Sequence, residues 1–487
     1  MNLNVLAFDF GASSGRAIVG KYDDHQLELE EVHRFENKML EKNGTLHWNT
    51  EYLLENILVG IKKATQKYDI KSLGIDTWGV DFGLIDASGK LLDDPVHYRD
   101  ERTKGSLKYL ENLISKEALY QRTGNQLMEI NTLFQLLTVK NKQPELFKKI
   151  DKVLLMPDLM NYLLTGEKKA EQSISSTTQL MNPYTKKWDT ELMEQVGLPT
   201  HIFPELVKEG NVLGVIKEEF NLPQIEVINV CEHDTASAVL SVPSNQNFLF
   251  ISCGTWSLVG TELAEPIISK KAENYNLTNE SGNNETTRFL KNCTGLWIVQ
   301  ELKRYYEAQG ENYSYEEITD MTNKKMPFKC LIDTDDPRFT SPGNMKQKIQ
   351  NYARETNQVV PETPGELFRV VYESLAFKYK YTTLEIIDAV GQEFDTVNIV
   401  GGGSKSSLLC QMVADATGMR VCAGPVEATA IGNIIQQLLT HGVVENIYEA
   451  REWIKKICQV TYYYPERKVE WEDQFSRYQK LLNKQLR

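Results

Sequence analysis

Asp9 is the first residue of the chain whose type and position could support chemistry. It follows an apolar strand, residues 5–8, and precedes a loop of small residues, 11–15, that leads into Arg16. Backbone N–H groups in such a loop can hold phosphate oxygens, and a carboxylate can hold Mg²⁺ through water. The pattern also fits a plain hairpin turn capped by the Asp side chain, so this loop alone leaves both interpretations open.

A second loop repeats the first pattern after residue 245. Residues 248–251 form an apolar strand, residues 252–257 a small-residue turn, and residues 258–260 a returning strand. With the two hairpins aligned, Gly254 falls on Gly11. The repeat indicates a duplicated architecture whose second loop, with Thr255, holds the phosphates of a nucleotide from the other half of the chain, although two short hairpins can match by chance.

A glycine run at residues 401–403 stands between a predicted strand, 397–400, and a predicted helix. Without Cβ atoms, this backbone could let an adenosine lie flat against it. The run fits neither the Walker pattern nor the G-x-G-x-x-G pattern. P-loop kinases and Rossmann dehydrogenases are therefore disfavoured.

Asp234 follows a predicted strand, residues 227–230, and precedes the small residues of a predicted helix. A carboxylate at that position can accept a hydroxyl proton during phosphoryl transfer. The alternative is that Asp234 is only the N-cap of the helix, with His233 as a neighbour. Asp76, Asp81 and Asp100 are expected to be ordinary surface or sheet-end acids.

These residues are carried by a mixed α/β chain. Strands are predicted around residues 5–8, 17–19, 73–75 and 82–85, and a helix begins after the N-cap at residues 49–50. A long helix runs from Glu366 to about Ala389 after a proline breaker. The polar residues 278–287 are expected to form a surface loop.

Composition limits the function. The chain has 487 residues, which predicts two domains, 1–244 and 245–487, with a linker near residues 241–247. A net charge of -13 argues against nucleic-acid and membrane-surface partners. Seven cysteines without a C-x-x-C pair indicate reduced thiols, and neither a signal peptide nor a membrane span is expected. We therefore expect a cytoplasmic protein.

The chain resembles the FGGY family of carbohydrate kinases, in the actin and hexokinase superfamily, over nearly its whole length. The segments that carry the resemblance are residues 9–16 (DFGASSGR), 76–82 (DTWGVDF), 97–100 (HYRD), 232–238 (EHDTASA), 254–257 (GTWS), 291–292 (KN), 295–297 (GLW) and 423–428 (AGPVEA). The second and third of these separate kinases of L-rhamnulose from those of xylulose, glycerol and gluconate. Val413 and Thr417 stand where some relatives have a cysteine pair, so no such disulfide is expected here.

The resemblance implies an α/β fold of two ribonuclease-H-like domains flanking an ATP and sugar cleft. It makes Asp234 the proton acceptor and implies these substrate contacts: Gly79, His233, Asp234, Thr235 and Asn292. The implied ATP contacts are Ala12, Ser13, Ser14, Gly15, Arg16, Thr255, Gln300 and Gly402. Asp9 matches the family's acidic residue near Mg²⁺.

The expected reaction is transfer of the γ-phosphoryl group of ATP to the C1 hydroxyl of L-rhamnulose, in L-rhamnose catabolism, by a monomer or small homo-oligomer. A kinase of a related ketose such as L-fuculose stays open. So do a non-catalytic, ATP-driven binding module of the same superfamily and an actin-like polymer.

Overall fold

The structure is a computed structural model that describes residues 2–23 and 26–485. In chain order the strands are β1 (Leu3–Phe10), β2 (Ser14–Asp23), β3 (Gln26–Glu36), β4 (Met39–Lys42), β5 (Thr45–Trp48), β6 (Ile70–Thr77), β7 (Phe82–Ile85), β8 (Lys152–Leu155), β9 (Lys169–Glu171), β10 (Met181–Asn182), β11 (Lys187–Trp188), β12 (Glu205–Val207), β13 (Asn211–Val215), β14 (Glu226–Asn229), β15 (Leu249–Cys253), β16 (Trp256–Leu263), β17 (Thr278–Ser281), β18 (Thr287–Thr294), β19 (Thr396–Val400), β20 (Arg420–Ala423) and β21 (Thr461–Tyr463).

The helices are α1 (Thr50–Thr65), α2 (Ser106–Leu110), α3 (Lys116–Thr123), α4 (Thr132–Lys142), α5 (Pro144–Phe147), α6 (Met156–Thr165), α7 (Gln172–Ser175), α8 (Thr190–Val196), α9 (Asp234–Leu240), α10 (Lys270–Asn274), α11 (Trp297–Glu307), α12 (Tyr315–Asn323), α13 (Met345–Glu355), α14 (Pro364–Val390), α15 (Ser407–Thr417), α16 (Ala428–Thr440), α17 (Ile447–Ile457) and α18 (Lys468–Gln485). In the described part of the chain no helix is both long and apolar enough to cross a membrane.

The chain divides into two compact units that are not contiguous in sequence. The first contains Met1–Asn245, Glu262–Phe289 and Ala428–Ile457, and the second contains Gln246–Thr261, Leu290–Glu427 and Cys458–Arg487. The first passage between units follows Asn245, within the predicted linker. The division into 1–244 and 245–487 concerns the two halves of the repeat and stays a prediction.

The sheet of the first unit has the order β13-β14-β6-β1-β2-β3. Strands β1, β6 and β14 run parallel to one another, whereas β2, β3 and β13 run antiparallel to their neighbours. The central strand β1 is almost completely buried because helices cover the sheet. Ligands of open α/β sheets bind at the carboxyl ends of parallel strands, so this edge is where the site is expected.

Packing in the first unit requires glycine where α9 meets α16. A Cβ added at Gly432 of α16 would lie 1.8 Å from the Ser237 carbonyl oxygen of α9. Glycine removes that conflict and lets the two helix backbones approach closely. This contact fixes α9, the helix that begins with Asp234.

The second sheet has the order β17-β18-β16-β15-β19-β20-β21. In the second unit β15 pairs antiparallel with β16 and parallel with β19. Helix α14 is buried along most of its length, and a capping box at Thr363 and Glu366 begins it. The predicted hairpin, strand and long helix of this half are therefore confirmed.

The prediction of a surface loop at residues 278–287 is wrong. Residues 278–281 form β17, which is buried throughout, and β18 begins at Thr287. Polarity did not mean exposure here, because hydrogen bonds and ion pairs inside the protein hold these buried side chains. Asn279, for example, donates to the carbonyl oxygens of Gly124 at 3.1 Å and Ile267 at 3.0 Å.

All seven cysteines are free thiols, six of them buried, as expected for a chain with reduced cysteines. Neither Val413 nor Thr417 can take part in a disulfide.

Candidate active site

Three acidic positions gather at the carboxyl edge of the first unit's parallel strands. In the pairing of β1 with β6, Asp9 lies opposite Asp76, and an isolated parallel bridge sets Thr77 beside His233. Asp234 follows directly. This register, which depends on residues far apart in sequence, brings the predicted loop acid and the predicted base to one edge.

Asp76 is completely buried and was not recognised as special from the sequence. Its Oδ2 accepts a 2.6 Å hydrogen bond from Asn433, and its Oδ1 has no hydrogen-bond partner among the described residues. Burial raises the pKa of Asp76 well above its usual value, and the nearby charges of Asp9 and Asp234 raise it further. Asp76 stands near the end of β6, as expected of a sheet-end acid, but it is buried and is not an ordinary surface acid.

Asp9 and Asp76 are the carboxylates at this edge that could serve as ligands of a magnesium ion. Mg²⁺ prefers oxygen ligands and commonly binds through one or two carboxylates together with substrate phosphates. Asp76 Oδ1 is buried and has no hydrogen-bond partner in residues 2–23 and 26–485, so this oxygen could act as a ligand of the ion. Over the same residues no group of three or more His, Cys, Asp or Glu side chains forms a complete metal site. These residues therefore fit an ion that phosphate oxygens help to hold.

The first loop has the tight geometry expected of a phosphate-binding turn. Gly11 N–H donates to the Ser14 carbonyl oxygen at 3.0 Å. Asn37 also holds the loop, because its backbone N–H donates to the Ser13 carbonyl oxygen and its side-chain amide donates to the Gly11 carbonyl oxygen. A Cβ at Gly15 would lie 2.1 Å from the ring of Phe35. Glycine is thus required here by packing.

Arg16 forms an ion pair with Asp9. Its guanidinium is therefore engaged by the carboxylate that precedes the loop at residues 11–15. This pairing keeps the Asp9 side chain in a defined position at the sheet edge.

Asp234 is the first residue of α9, and His233 is the N-cap. The alternative interpretation of Asp234 as the N-cap is therefore wrong. The Asp234 carboxylate is 32% exposed, accepts a 3.1 Å hydrogen bond from Thr235 Oγ1, and lies 3.5 Å from His233 Nε2. The carboxylate is therefore held in place by its neighbours and is still exposed enough for a hydroxyl group to reach it.

Gly79 lies in the loop after β6, where the backbone is constrained. Its neighbour Val80 has φ +67°, a conformation that is costly for a β-branched residue. Val80 N–H donates to Thr177 Oγ1 at 3.1 Å, and Thr132 Oγ1 donates to the Val80 carbonyl oxygen at 2.7 Å. Backbone strain of this kind is concentrated at ligand sites, which supports the predicted sugar contact at Gly79.

Asp81 lies in the same loop, directly before β7, as expected of an acid at a strand end, but it is completely buried and is not a surface acid. Its carboxylate accepts from the indole N–H groups of Trp48 at 2.7 Å and Trp78 at 3.1 Å, and from Gln135 Nε2 at 3.0 Å. Burial raises the pKa of Asp81 to about 6. Asp100, in contrast, is partly buried and accepts from the backbone N–H groups of Leu46 and Arg102.

His233 has a second set of partners that the sequence did not reveal. Its Nδ1 lies 3.1 Å from Arg288 Nη2 and 3.3 Å from Glu280 Oε2. Glu280 comes from the segment 278–287 that was predicted to be a surface loop, and Arg288 follows that segment directly. An acid and an arginine close together in one short polar stretch were the available signal.

The second unit carries the other predicted nucleotide contacts. Its turn mirrors the first loop, since Gly254 N–H donates to the Trp256 carbonyl oxygen at 2.8 Å. Thr255 Oγ1 lies 3.4 Å from Gln300 Oε1, which brings two of the predicted ATP contacts together. Asn292, the predicted sugar contact of this unit, lies on β18.

The glycine run of the second unit has open space on one side and close packing on the other. A Cβ at Gly402 would meet no atom within 4 Å, so space is open beside that backbone. At Gly403 it would lie 2.2 Å from Cys253 Sγ. Gly402 therefore leaves room for a ligand, whereas Gly403 allows the turn to pack on β15.

The arrangement defines a two-domain α/β protein with acids and phosphate-type loops at its strand ends. A model of the FGGY family of carbohydrate kinases, N-terminal domain, matches residues 4–241, and one of the same family's C-terminal domain matches residues 249–441. The chain belongs to the FGGY family of carbohydrate kinases.

Curated relatives are similar to this chain over nearly its full length. The chain is 42% identical to the rhamnulokinase of Ligilactobacillus salivarius (strain UCC118), with 99% of each chain covered. It is 40% identical to that of Bacillus subtilis (strain 168), with 94% of this chain and 95% of the relative covered.

Solved structures confirm the predicted fold. The gluconate kinase from Lactobacillus acidophilus matches with a TM-score of 0.81 at 16% identity, covering 99% of this chain and 98% of that one. Plasmodium falciparum glycerol kinase with ADP matches with a TM-score of 0.78 at 16% identity and the same coverage. The chain is thus a sugar kinase, a phosphotransferase that uses ATP.

Proposed function

We propose that this kinase phosphorylates the C1 hydroxyl of L-rhamnulose, giving L-rhamnulose 1-phosphate and ADP. The main support for this choice of substrate is the 42% identity with a rhamnulokinase over 99% of both chains. The role of the protein is then a step of L-rhamnose catabolism. Its free thiols are compatible with the reducing cytoplasm, where we place it.

Asp234 is the proposed general base. As phosphoryl transfer proceeds, the proton of the C1 hydroxyl passes to the Asp234 carboxylate, the hydroxyl oxygen bonds to the γ-phosphorus, and the bond to the β,γ-bridging oxygen breaks. ADP takes the electrons of that bond. The accessible carboxylate at the start of α9 supports this role.

The remaining assignments concern binding and orientation. We assign the sugar to Gly79, His233, Thr235 and Asn292. The ATP contacts are assigned to residues 12–16, Thr255, Gln300 and Gly402. Such residues act by alignment, which supplies most of the rate in phosphoryl transfer.

Asp9 is the proposed carboxylate for Mg²⁺, with Asp76 beside it. When bound, the ion would neutralise the negative charge of the phosphate oxygens. Asp76 supports this assignment because its Oδ1 lacks a partner in the described residues. Arg16 balances the charge of Asp9 in the absence of ligand.

The test is ADP release by the purified protein with Mg-ATP and separate samples of L-rhamnulose, L-fuculose, L-ribulose, D-xylulose and glycerol. We expect the highest kcat/KM with L-rhamnulose. A preference for L-fuculose would reject the substrate and retain the kinase. Equal ADP release with and without any sugar would support a binding module and reject the proposal.

A further inference from the structure

Arg288 is a completely buried arginine behind the predicted sugar-binding histidine. Its side chain has 0% exposure, and its Nε donates to the Ser281 carbonyl oxygen at 3.0 Å. Its Nη1 lies 3.0 Å from Glu280 Oε2, and its Nη2 lies 3.1 Å from His233 Nδ1. A guanidinium therefore joins a buried carboxylate to the imidazole.

Glu280 compensates the buried charge. Burial opposes its ionisation, but the charge of Arg288 is the largest effect in the opposite direction, and the pKa of Glu280 is lowered. Its side chain is 5% exposed. A buried arginine without a counter-ion would be strongly unfavourable, so Glu280 makes the position of Arg288 possible.

The contact between Arg288 and His233 determines which ring nitrogen carries the proton. Nδ1 lies near two groups, Arg288 Nη2 at 3.1 Å and Glu280 Oε2 at 3.3 Å. Glu280 Oε2 takes part in no hydrogen bond within the described residues, whereas Arg288 and Nδ1 form one. A guanidinium only donates hydrogen bonds, so Nδ1 of His233 accepts. A neutral imidazole whose Nδ1 accepts carries its proton on Nε2. Nε2 is the nitrogen that lies 3.5 Å from Asp234 Oδ1.

A neutral ring matters for the base. A doubly protonated His233 would form an ion pair with Asp234 and make that carboxylate a poorer proton acceptor. An Nδ1 that accepts the hydrogen bond of Arg288 carries no proton of its own.

We propose that Arg288 and Glu280 are positioning residues for phosphoryl transfer: Arg288 holds His233 as the neutral tautomer protonated at Nε2, and Glu280 balances the charge of Arg288. The proposal rests on the proposed function of Asp234 and His233. Neither Arg288 nor Glu280 contacts the substrate in this account. Both act through His233.

The first experiment observes the ring directly. Proton–nitrogen spectra of ¹⁵N-histidine-labelled, ligand-free protein at mildly alkaline pH distinguish the two tautomers, and His233→Gln identifies the signals of His233. We expect a bare Nδ1 and a protonated Nε2. A protonated Nδ1 in the wild type would overturn the proposal, whatever the sugar substrate proves to be.

The second experiment changes the pair. Glu280→Gln combined with Arg288→Met removes both charges together, so no buried charge is left unpaired. We expect His233 to lose its single tautomer and kcat to fall at least ~10-fold, with little change in the KM for ATP. Arg288→Lys alone keeps a cationic donor beside Glu280, so this variant should retain part of the wild-type kcat and part of the tautomer preference of His233.

The control is the exposed pair Arg467 and Glu470, which lies in the other unit. Arg467→Met combined with Glu470→Gln should leave kcat and the His233 signals unchanged. If the buried double variant keeps wild-type kcat, or loses kcat while His233 keeps its tautomer, the proposed role is wrong. Should that double variant fail to fold, Arg288→Lys decides, because wild-type kcat with an altered tautomer would equally reject the link.

Discussion

Gly432→Ala should lower catalytic activity, because the new methyl group on α16 would displace α9, the helix that begins with Asp234. The new Cβ would lie 1.8 Å from the Ser237 carbonyl oxygen, whereas a carbon and an oxygen that are not bonded settle near ~3.3 Å. Helix α9 or α16 must therefore move by roughly 1.5 Å, the difference between these distances. Asp234, the first residue of α9, would move with its helix.

The expected magnitude follows from that displacement. Misplacement of a catalytic group by about 1 Å can lower the rate by ~10²-fold, and overpacking costs about 1–3 kcal/mol of stability. We expect kcat to fall by about this factor while the folded variant still binds ATP. The assay is steady-state ADP release, together with thermal unfolding and calorimetric ATP titration.

Gly214→Ala is the matched control in the same unit. At Gly214 a Cβ would meet its nearest neighbour at 3.4 Å, an ordinary contact, and the backbone has no positive φ. This variant should retain wild-type kcat. Wild-type kcat and unfolding temperature in Gly432→Ala would refute the claim that close packing of α9 on α16 holds the base.

Two further substitutions test the buried acids. Asp81→Asn should change the pH dependence of stability: burial raises the pKa of Asp81 to about 6 from an ordinary value near ~3.9, so the folded wild type loses up to ~3 kcal/mol as pH rises through that window. The variant lacks this loss and should gain relative to wild type between pH ~4 and ~7 in urea unfolding; an unchanged difference would contradict the pKa. Glu171→Gln should destabilise the protein by about 1–3 kcal/mol, because the Glu171 carboxylate accepts from Ser173, Ile174 and Glu232 and a glutamine leaves a buried N–H without an acceptor. Ser173 Oγ in turn accepts from His233 N–H, so kcat should fall more than ATP affinity, and Glu205→Gln on the exposed end of β12 should change neither.

The sequence predicts the local elements well, because strands and turns leave short-range patterns. The hairpins at Gly11 and Gly254, the N-cap at Asn49 and the long helix α14 all follow from apolar periodicity and breaker residues. The strand before His233 is predicted in the same way. Local periodicity is thus enough to locate the loops at which the candidate site residues lie.

Long-range packing explains what the sequence could not reveal. Asp76 and Asp81 look like ordinary acids until the sheet and the tryptophans enclose them. Residues 278–281 look like a loop because a buried polar strand has no apolar run. Helix α16 lies far along the chain but belongs to the first unit, where Asn433 binds Asp76.

Asp234→Asn is the most direct test of the central claim. The account predicts that kcat with L-rhamnulose and Mg-ATP falls by ~10²–10⁴-fold while calorimetric ATP affinity stays close to wild type. Asp320→Asn, at an exposed position of α12, is the matched control and should retain wild-type kcat. A kcat close to wild type in folded Asp234→Asn protein would contradict the account, because phosphoryl transfer would then proceed without the proposed base.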